Sequence, residues 1–170
     1  MISNDKVTEI YFIIDEFFKE FDQVLKEYTL ENSKKRKRNR SFTLSESEIM
    51  TFMILFHQGG FRNFKWFYIN YIQKHMKSEF PKTVSYNRFV ELQKKVCIPL
   101  AIFIKTVCLG QCTGISFIDS TTIKVCHIKR QKQNKVFKNI AEKGRGSLGW
   151  LYGFKLHLIV NDKDEILAFC

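Results

Sequence analysis

Asp119, followed by Ser120 and Thr121, comes directly off the apolar run Ile115-Ser116-Phe117-Ile118. A carboxylate fixed on a β-strand is a rigid oxygen ligand of the kind a hard divalent cation takes. Strand alternation puts Ile115, Phe117 and Asp119 on one face and Ser116, Ile118 and Ser120 on the other. The carboxylate then emerges at the edge of a packed core, near a strand tip. Asp and Ser also bond their own backbone two residues on, so the same three residues fit a plain turn opening. Both readings of Asp119, metal ligand and turn former, follow from the residue types.

The second chemistry is cationic. Twenty-eight Lys and Arg against seventeen Asp and Glu leave +11 over 170 residues, a balance that draws polyanions by counterion release and steering. Lys34, Lys35, Arg36, Lys37, Arg38 and Arg40 put six cations into seven positions, which cannot be buried together. They make a linker, or an arm that contacts phosphates. Lys129, Arg130 and Lys132 open a stretch running to Arg145 with seven cations against Glu142 alone, which reads as a mobile loop and a second phosphate contact.

Other chemistries find less. Cys97, Cys108, Cys112, Cys126 and Cys170 are odd in number and mostly sit among apolar neighbours, the setting of reduced thiols acting as small hydrophobes, so no disulfide is expected. Cys108-x3-Cys112 and Cys126-His127 lack the second pair that a zinc site of finger-like spacing requires. Asp162, Asp164 and Glu165 fall in a turn by composition. No stretch approaches the roughly 20 apolar residues that cross a bilayer, and the polar start lacks a signal-peptide core, so a cytoplasmic protein without membrane contact is expected.

The elements that must position these groups change period midway. Val7, Ile10, Ile14, Phe17, Phe18, Phe21 and Leu25 predict an amphipathic helix over about residues 5–27. Ser45-x-x-Glu48 is a capping box that opens a second helix with Ile49, Phe52, Met53 and Phe56 on its apolar face, stopped by Gly59-Gly60. A third helix is expected from Arg62 to Lys77, with Phe64, Phe67, Tyr68, Tyr71, Ile72 and Met76 inward. A fourth runs from Ser85 to Val96, showing Arg88 and Lys94 to a groove or to phosphates, and a fifth from Pro99 to Cys108. Two helices joined by a glycine turn suggest a helix-turn-helix, a pattern small bundles share. Gly110 to Gly114 then leads into the Asp119 strand, which Thr122 to Cys126 can extend. Trp150–Val160 and Glu165–Phe169 make two strands around the Asn161–Asp164 turn. The fold class is α+β, with a helical half before a sheet.

Four motifs in this order, Ser45-Glu46-Ser47-Glu48-Ile49-Met50, Ser85-Tyr86-Asn87-Arg88-Phe89, Phe117-Ile118-Asp119-Ser120-Thr121 and Tyr152-Gly153-Phe154-Lys155-Leu156-His157, resemble a DDE-type transposase of a small bacterial insertion sequence. The resemblance divides the chain into an N-terminal helix (1–28), a basic linker (29–44), a helical DNA-binding region (45–110) and the first three strands of an incomplete ribonuclease H-like catalytic domain (111–170). It implies that Asp119 is the first acid of a catalytic triad, that the cofactor is Mg2+, and that Lys155 and His157 lie near the active site. It also implies a partner, double-stranded DNA at the terminal inverted repeats of the element. No later residue matches the second or third acid, so a truncated chain, inactive alone, is expected. A non-enzymatic DNA-binding fragment or competitor of a full-length transposase is the alternative. A pair of magnesium ions must hold both the attacking and leaving oxygens in this chemistry, and one carboxylate cannot assemble that site. An open apolar strand edge is expected beside Asp119, which a partner or a homodimer would cover, and residues 111–170 are expected to be less stable than the helical half.

Overall fold

A computed structural model describes residues 2–30, 43–146 and 149–170. The chain divides into two compact units, Met1–Phe103 and Ile104–Cys170. Helices fill the first and a four-stranded antiparallel sheet the second, which is an α+β architecture. Among the described residues no helix is long and apolar enough to cross a membrane.

In the first unit α1 spans Asn4–Leu30 and buries Val7, Ile14, Phe17 and Phe18, a stripe at helical spacing. The second helix, α2 (Glu46–Gln58), begins at the expected capping box. The Glu48 N–H donates to Ser45 Oγ at 3.0 Å, and the Ser45 N–H donates to Glu48 Oε2 at 2.7 Å. Ser47 Oγ, buried, donates to Asp15 Oδ1 at 3.1 Å and so ties α2 to α1. Gly59 closes α2, and Gly60 turns the chain at φ +65°, a conformation that costs glycine little.

The third helix differs from its expected form. It starts at Phe64 after the Asn63 cap, rather than at Arg62, and α3 (Phe64–Trp66) runs straight into a π-helix over Phe67–His75. The Met76 N–H reaches back five residues to the Tyr71 carbonyl. Widened turns stack residues five apart, which lets Phe67 with Ile72, and Tyr71 with Met76, all reach the core. The fourth helix also departs from expectation: α4 runs unbroken over Tyr86–Thr106 with Pro99 inside it. Pro99 forfeits one backbone hydrogen bond, yet Leu92, Val96, Pro99 and Phe103 repeat at four, three and four residues and are all buried, so continuing the helix keeps one apolar stripe intact. The main hydrophobic cluster of the described residues lies in this unit and is strongly aromatic, while the second unit buries Ala141, Leu151 and Tyr152. Tyr68 stacks on Phe89 at 4.4 Å and 8°, and its hydroxyl donates to the Val84 carbonyl at 2.8 Å.

In the second unit β1 (Ser116–Cys126), β2 (Glu142–Gly146), β3 (Gly149–Asn161) and β4 (Ile166–Phe169) pair around β3. Four strands form where three were expected. The cationic stretch after Lys129 is no long loop: a 3-10 helix fills Ile128–Gln133, and Glu142–Gly146 pairs with β3. A strand with one solvated face tolerates lysine and arginine at alternate positions, which is how so polar a segment enters a sheet. The Asp119 strand is also longer than a tip at Asp119 allows. Thr122 to Lys124 continue the ladder with Lys155 to Gly153, leaving Asp119 in the strand interior. Among the described residues β1 pairs only with β3 and is exposed along almost its whole length, with Phe117 and Ile118 at 57% and 76% exposure.

Candidate functional site

Asp119 stands opposite Leu158 in the β1–β3 ladder, and residues opposite one another in an antiparallel pair share a face. Phe117, Thr121 and Ile123 are on that face from β1, with Phe154, Leu156 and Leu158 from β3 and Phe169 from β4. The carboxylate is thus an exposed anion in a largely apolar sheet face. Its Oδ1 accepts the N–H of the next residue, Ser120, at 2.7 Å, whereas the turn-former reading anticipates a contact two residues on.

Lys155 and His157 are on the opposite face, across from Thr122 and Ser120. The ladder is regular from Ser116 to Lys124, its one shift lying beyond Lys124, so no irregularity brings them round to Asp119. The three residues are near neighbours in the sheet but do not converge on one reacting atom from one side. The period of two sets Lys155 and His157 on the face opposite Asp119 while keeping them close to it along the sheet.

The cations are dispersed. Arg88 is on α4 in the first unit, where its Nη1 donates to Glu91 Oε2 at 2.7 Å in an exposed i,i+3 pair, while Lys94 is exposed further along the same helix. Lys129, Arg130 and Lys132 are on the 3-10 helix of the second unit, whose start is capped by His127 Nδ1 accepting the Lys129 N–H at 3.3 Å. Lys34, Lys35, Arg36, Lys37, Arg38 and Arg40 lie outside the described residues.

The cysteines depart from expectation in their setting: Cys97, Cys108, Cys112 and Cys170 are exposed, and only Cys126 is half-buried. Although Cys108 as a residue is exposed, desolvation of its thiol pushes the pKa up, which favours the protonated form over the ligating thiolate. Among the described residues no three His, Cys, Asp or Glu side chains come together in a way that could hold a metal ion. A magnesium ion takes near-octahedral oxygen ligation, usually from one or two carboxylates with water and substrate phosphate. Asp119 fits as one such ligand, but its face offers no second acid from β1 or β3, so the described residues do not make a complete magnesium site.

Two residues that shape this region carry weaker sequence signals. Asn161 is 1% exposed at the end of β3. Its amide donates to the Gln111 carbonyl at 3.0 Å and to Glu165 Oε2 at 2.7 Å, while its Oδ1 accepts the N–H groups of Lys163 and Glu165. It fastens both the hairpin turn and the segment leading into β1, and Thr113 Oγ1 donates to Asp162 beside it. Gly153 is the other. A Cβ there would sit 2.1 Å from the Ile123 carbonyl oxygen, at the point of the β1–β3 ladder next to the register shift between Lys124 and Cys126. A glycine inside an aromatic-rich strand signals this kind of close backbone approach.

Residues 109–170 match the Transposase DDE domain family model. The match takes in all four strands and Asp119, and it makes the second unit similar to a transposase DDE domain. It supports transposase function in general, and with it DNA as a partner and dependence on a divalent metal as properties of that domain family. No curated protein and no solved structure matches the chain.

Proposed function

We propose that this chain acts in DNA transposition, with Asp119 as the first metal-binding acid of a magnesium-dependent phosphodiester-cleaving and strand-transferring centre on a ribonuclease H-like sheet. The observation that carries the reading is the match of residues 109–170 to the Transposase DDE domain, with Asp119 exposed in the interior of β1. The helical unit, with Arg88 and Lys94, the 34–40 basic run, and Lys129, Arg130 and Lys132 bind the double-stranded terminal repeats, supported by the +11 charge. Lys155 and His157 meet a phosphate from the sheet face that Asp119 does not share. Asp119 alone does not complete a magnesium site, which takes at least one further oxygen ligand set beside it.

The decisive experiment incubates the chain and its Asp119→Asn variant with end-labelled insertion-sequence DNA and magnesium, and measures DNA retention across a salt series. Cleavage by the wild type that the Asp119→Asn substitution abolishes supports the enzymatic reading. Equal null cleavage by both, with steeply salt-dependent binding, supports the second reading, a non-enzymatic DNA-binding protein competing at element ends. The lone carboxylate of the Asp119 face favours that second reading. Absence of DNA binding by either protein refutes both.

A further inference from the structure

The β2–β3 ribbon carries a feature that the metal face does not explain. Trp150 is 60% exposed, although tryptophan usually hides most of its large apolar surface. Arg145 stands directly opposite it, and Lys143 stands opposite Tyr152, so Lys143, Arg145, Trp150 and Tyr152 share one face of the ribbon. Two residues along β3 from Trp150 the ribbon is fastened. Tyr152 is buried and its hydroxyl donates to the Phe137 carbonyl at 3.0 Å, and the Phe137 ring meets Phe154 edge-on at 5.6 Å. The indole therefore projects from an anchored two-stranded element, with the directly opposite Arg145 at a cross-strand spacing of about 5 Å and the diagonal Lys143 at about 7 Å.

The geometry points to a binding site for an unpaired DNA base on Trp150, with Arg145 and Lys143 holding the phosphates that flank it. This rests on the DNA reading above and adds to it a second contact with its own substrate preference. An exposed indole presents a flat π-surface that any base can stack on, but a base inside a duplex has both faces already covered. The favoured ligand is therefore a strand end or an overhang rather than intact duplex. Charge supports the same occupant: the 129–145 segment that leads into and includes β2 carries seven cations against Glu142 alone. Alternation along β3 puts Trp150 on the sheet face of Asp119, and eight residues of strand separate it from Leu158, the Asp119 partner. At about 3.4 Å per residue the stacking site lies roughly 27 Å from the carboxylate, so it positions DNA and is no catalytic residue.

The chain has two tryptophans, and Trp66→Phe leaves Trp150 as the sole indole. In that background, fluorescence anisotropy of a labelled duplex measures binding while Trp150 emission measures stacking, with a blunt duplex compared to the same duplex bearing an unpaired overhang. The expected result is quenching of Trp150 by the overhang substrate only. Trp150→Ala is expected to weaken overhang binding about 5- to 150-fold, the range of one lost base stack, and to change blunt-duplex binding less than about twofold. Trp150→Phe restores most of the loss, which separates stacking from misfolding. Lys143→Ala with Arg145→Ala is expected to make the slope of log K against log salt shallower by about 1.4 to 1.8, the signature of two lost phosphate contacts. Binding of both duplexes with unchanged Trp150 emission, or equal weakening of both by Trp150→Ala, overturns this site while leaving the DNA reading intact. No anisotropy change with either duplex overturns the DNA reading and this site together.

Discussion

Gly153→Ala is expected to disrupt the second unit while leaving the helical unit untouched. The new Cβ would sit 2.1 Å from the Ile123 carbonyl oxygen and 3.1 Å from Val125 N, both backbone atoms, so no flexible side chain can swing away. Ordinary contact begins at 3.4 Å, and the β1 and β3 backbones must therefore part by more than 1 Å at that point. Overpacking of this kind costs roughly 1–3 kcal/mol. Such a displacement also takes the adjacent ladder hydrogen bonds out of range, and two of them lost add about 1–3 kcal/mol. The total, about 2–6 kcal/mol, is a large part of what holds a small domain together. Urea unfolding read by Trp150 in a Trp66→Phe background reports on the second unit, and Trp66 in a Trp150→Phe background reports on the first. The midpoint of the Trp150 transition should fall by about 1 M or more, with the Trp66 transition unmoved. Gly144→Ala, where a Cβ meets nothing within 4 Å, is the control and should stay within about 0.5 kcal/mol. Parent-like stability of Gly153→Ala would refute the claim that the close approach of the Ile123 carbonyl requires glycine here.

Three further expectations concern the helices and the balance between units. Ser45→Ala removes the side-chain acceptor of the capping box and should cost the helical unit about 1 kcal/mol, read as a shift of the Trp66 unfolding midpoint. Burial pushes the Tyr68 phenol up to about 12 from an ordinary 10.0, so the folded chain keeps a proton that the unfolded chain releases. Helical-unit stability should hold below about pH 10 and fall as pH rises towards about 12, and Tyr68→Phe should flatten that alkaline fall in denaturation curves taken at several pH values. Amide hydrogen exchange should show slower exchange for the cores of α2 and α4 than for β1, because the buried apolar cluster lies in the first unit while β1 is exposed. Equal protection would contradict the reading of the second unit as thinly packed.

Local signals were legible where one element's own spacing carries them. The Val7–Phe18 stripe, the Ser45–Glu48 capping box and the hairpin at Asn161–Asp164 all depend on residues within a few positions of each other, and each is present in the fold. The rest depends on partners distant in sequence. Pro99 reads as a break unless one knows that Leu92, Val96 and Phe103 face a common core. The π-helix hides because its five-residue repeat mimics a slightly irregular α stripe. Glu142–Gly146 carries two glycines, a lysine and an arginine, so nothing in its own composition predicts a strand, and it becomes one because β3 offers an edge. Asp119 was legible as an exposed strand acid, but not its relation to Lys155 and His157, since register pairs Asp119 with Leu158, a residue distant in sequence on another strand.

That register gives the Gly-Phe-Lys-Leu-His segment of β3 a divided meaning. Phe154 and Leu156 are on the Asp119 side, and Lys155 and His157 look the other way. A saturation mutagenesis profile of this stretch would therefore alternate: even positions answer to the acid's surroundings, and odd positions to whatever meets the reverse of the sheet. A motif that looks like one signature along the chain is two interleaved ones, each to be interpreted with the β1 residues across from it rather than with its own sequence neighbours.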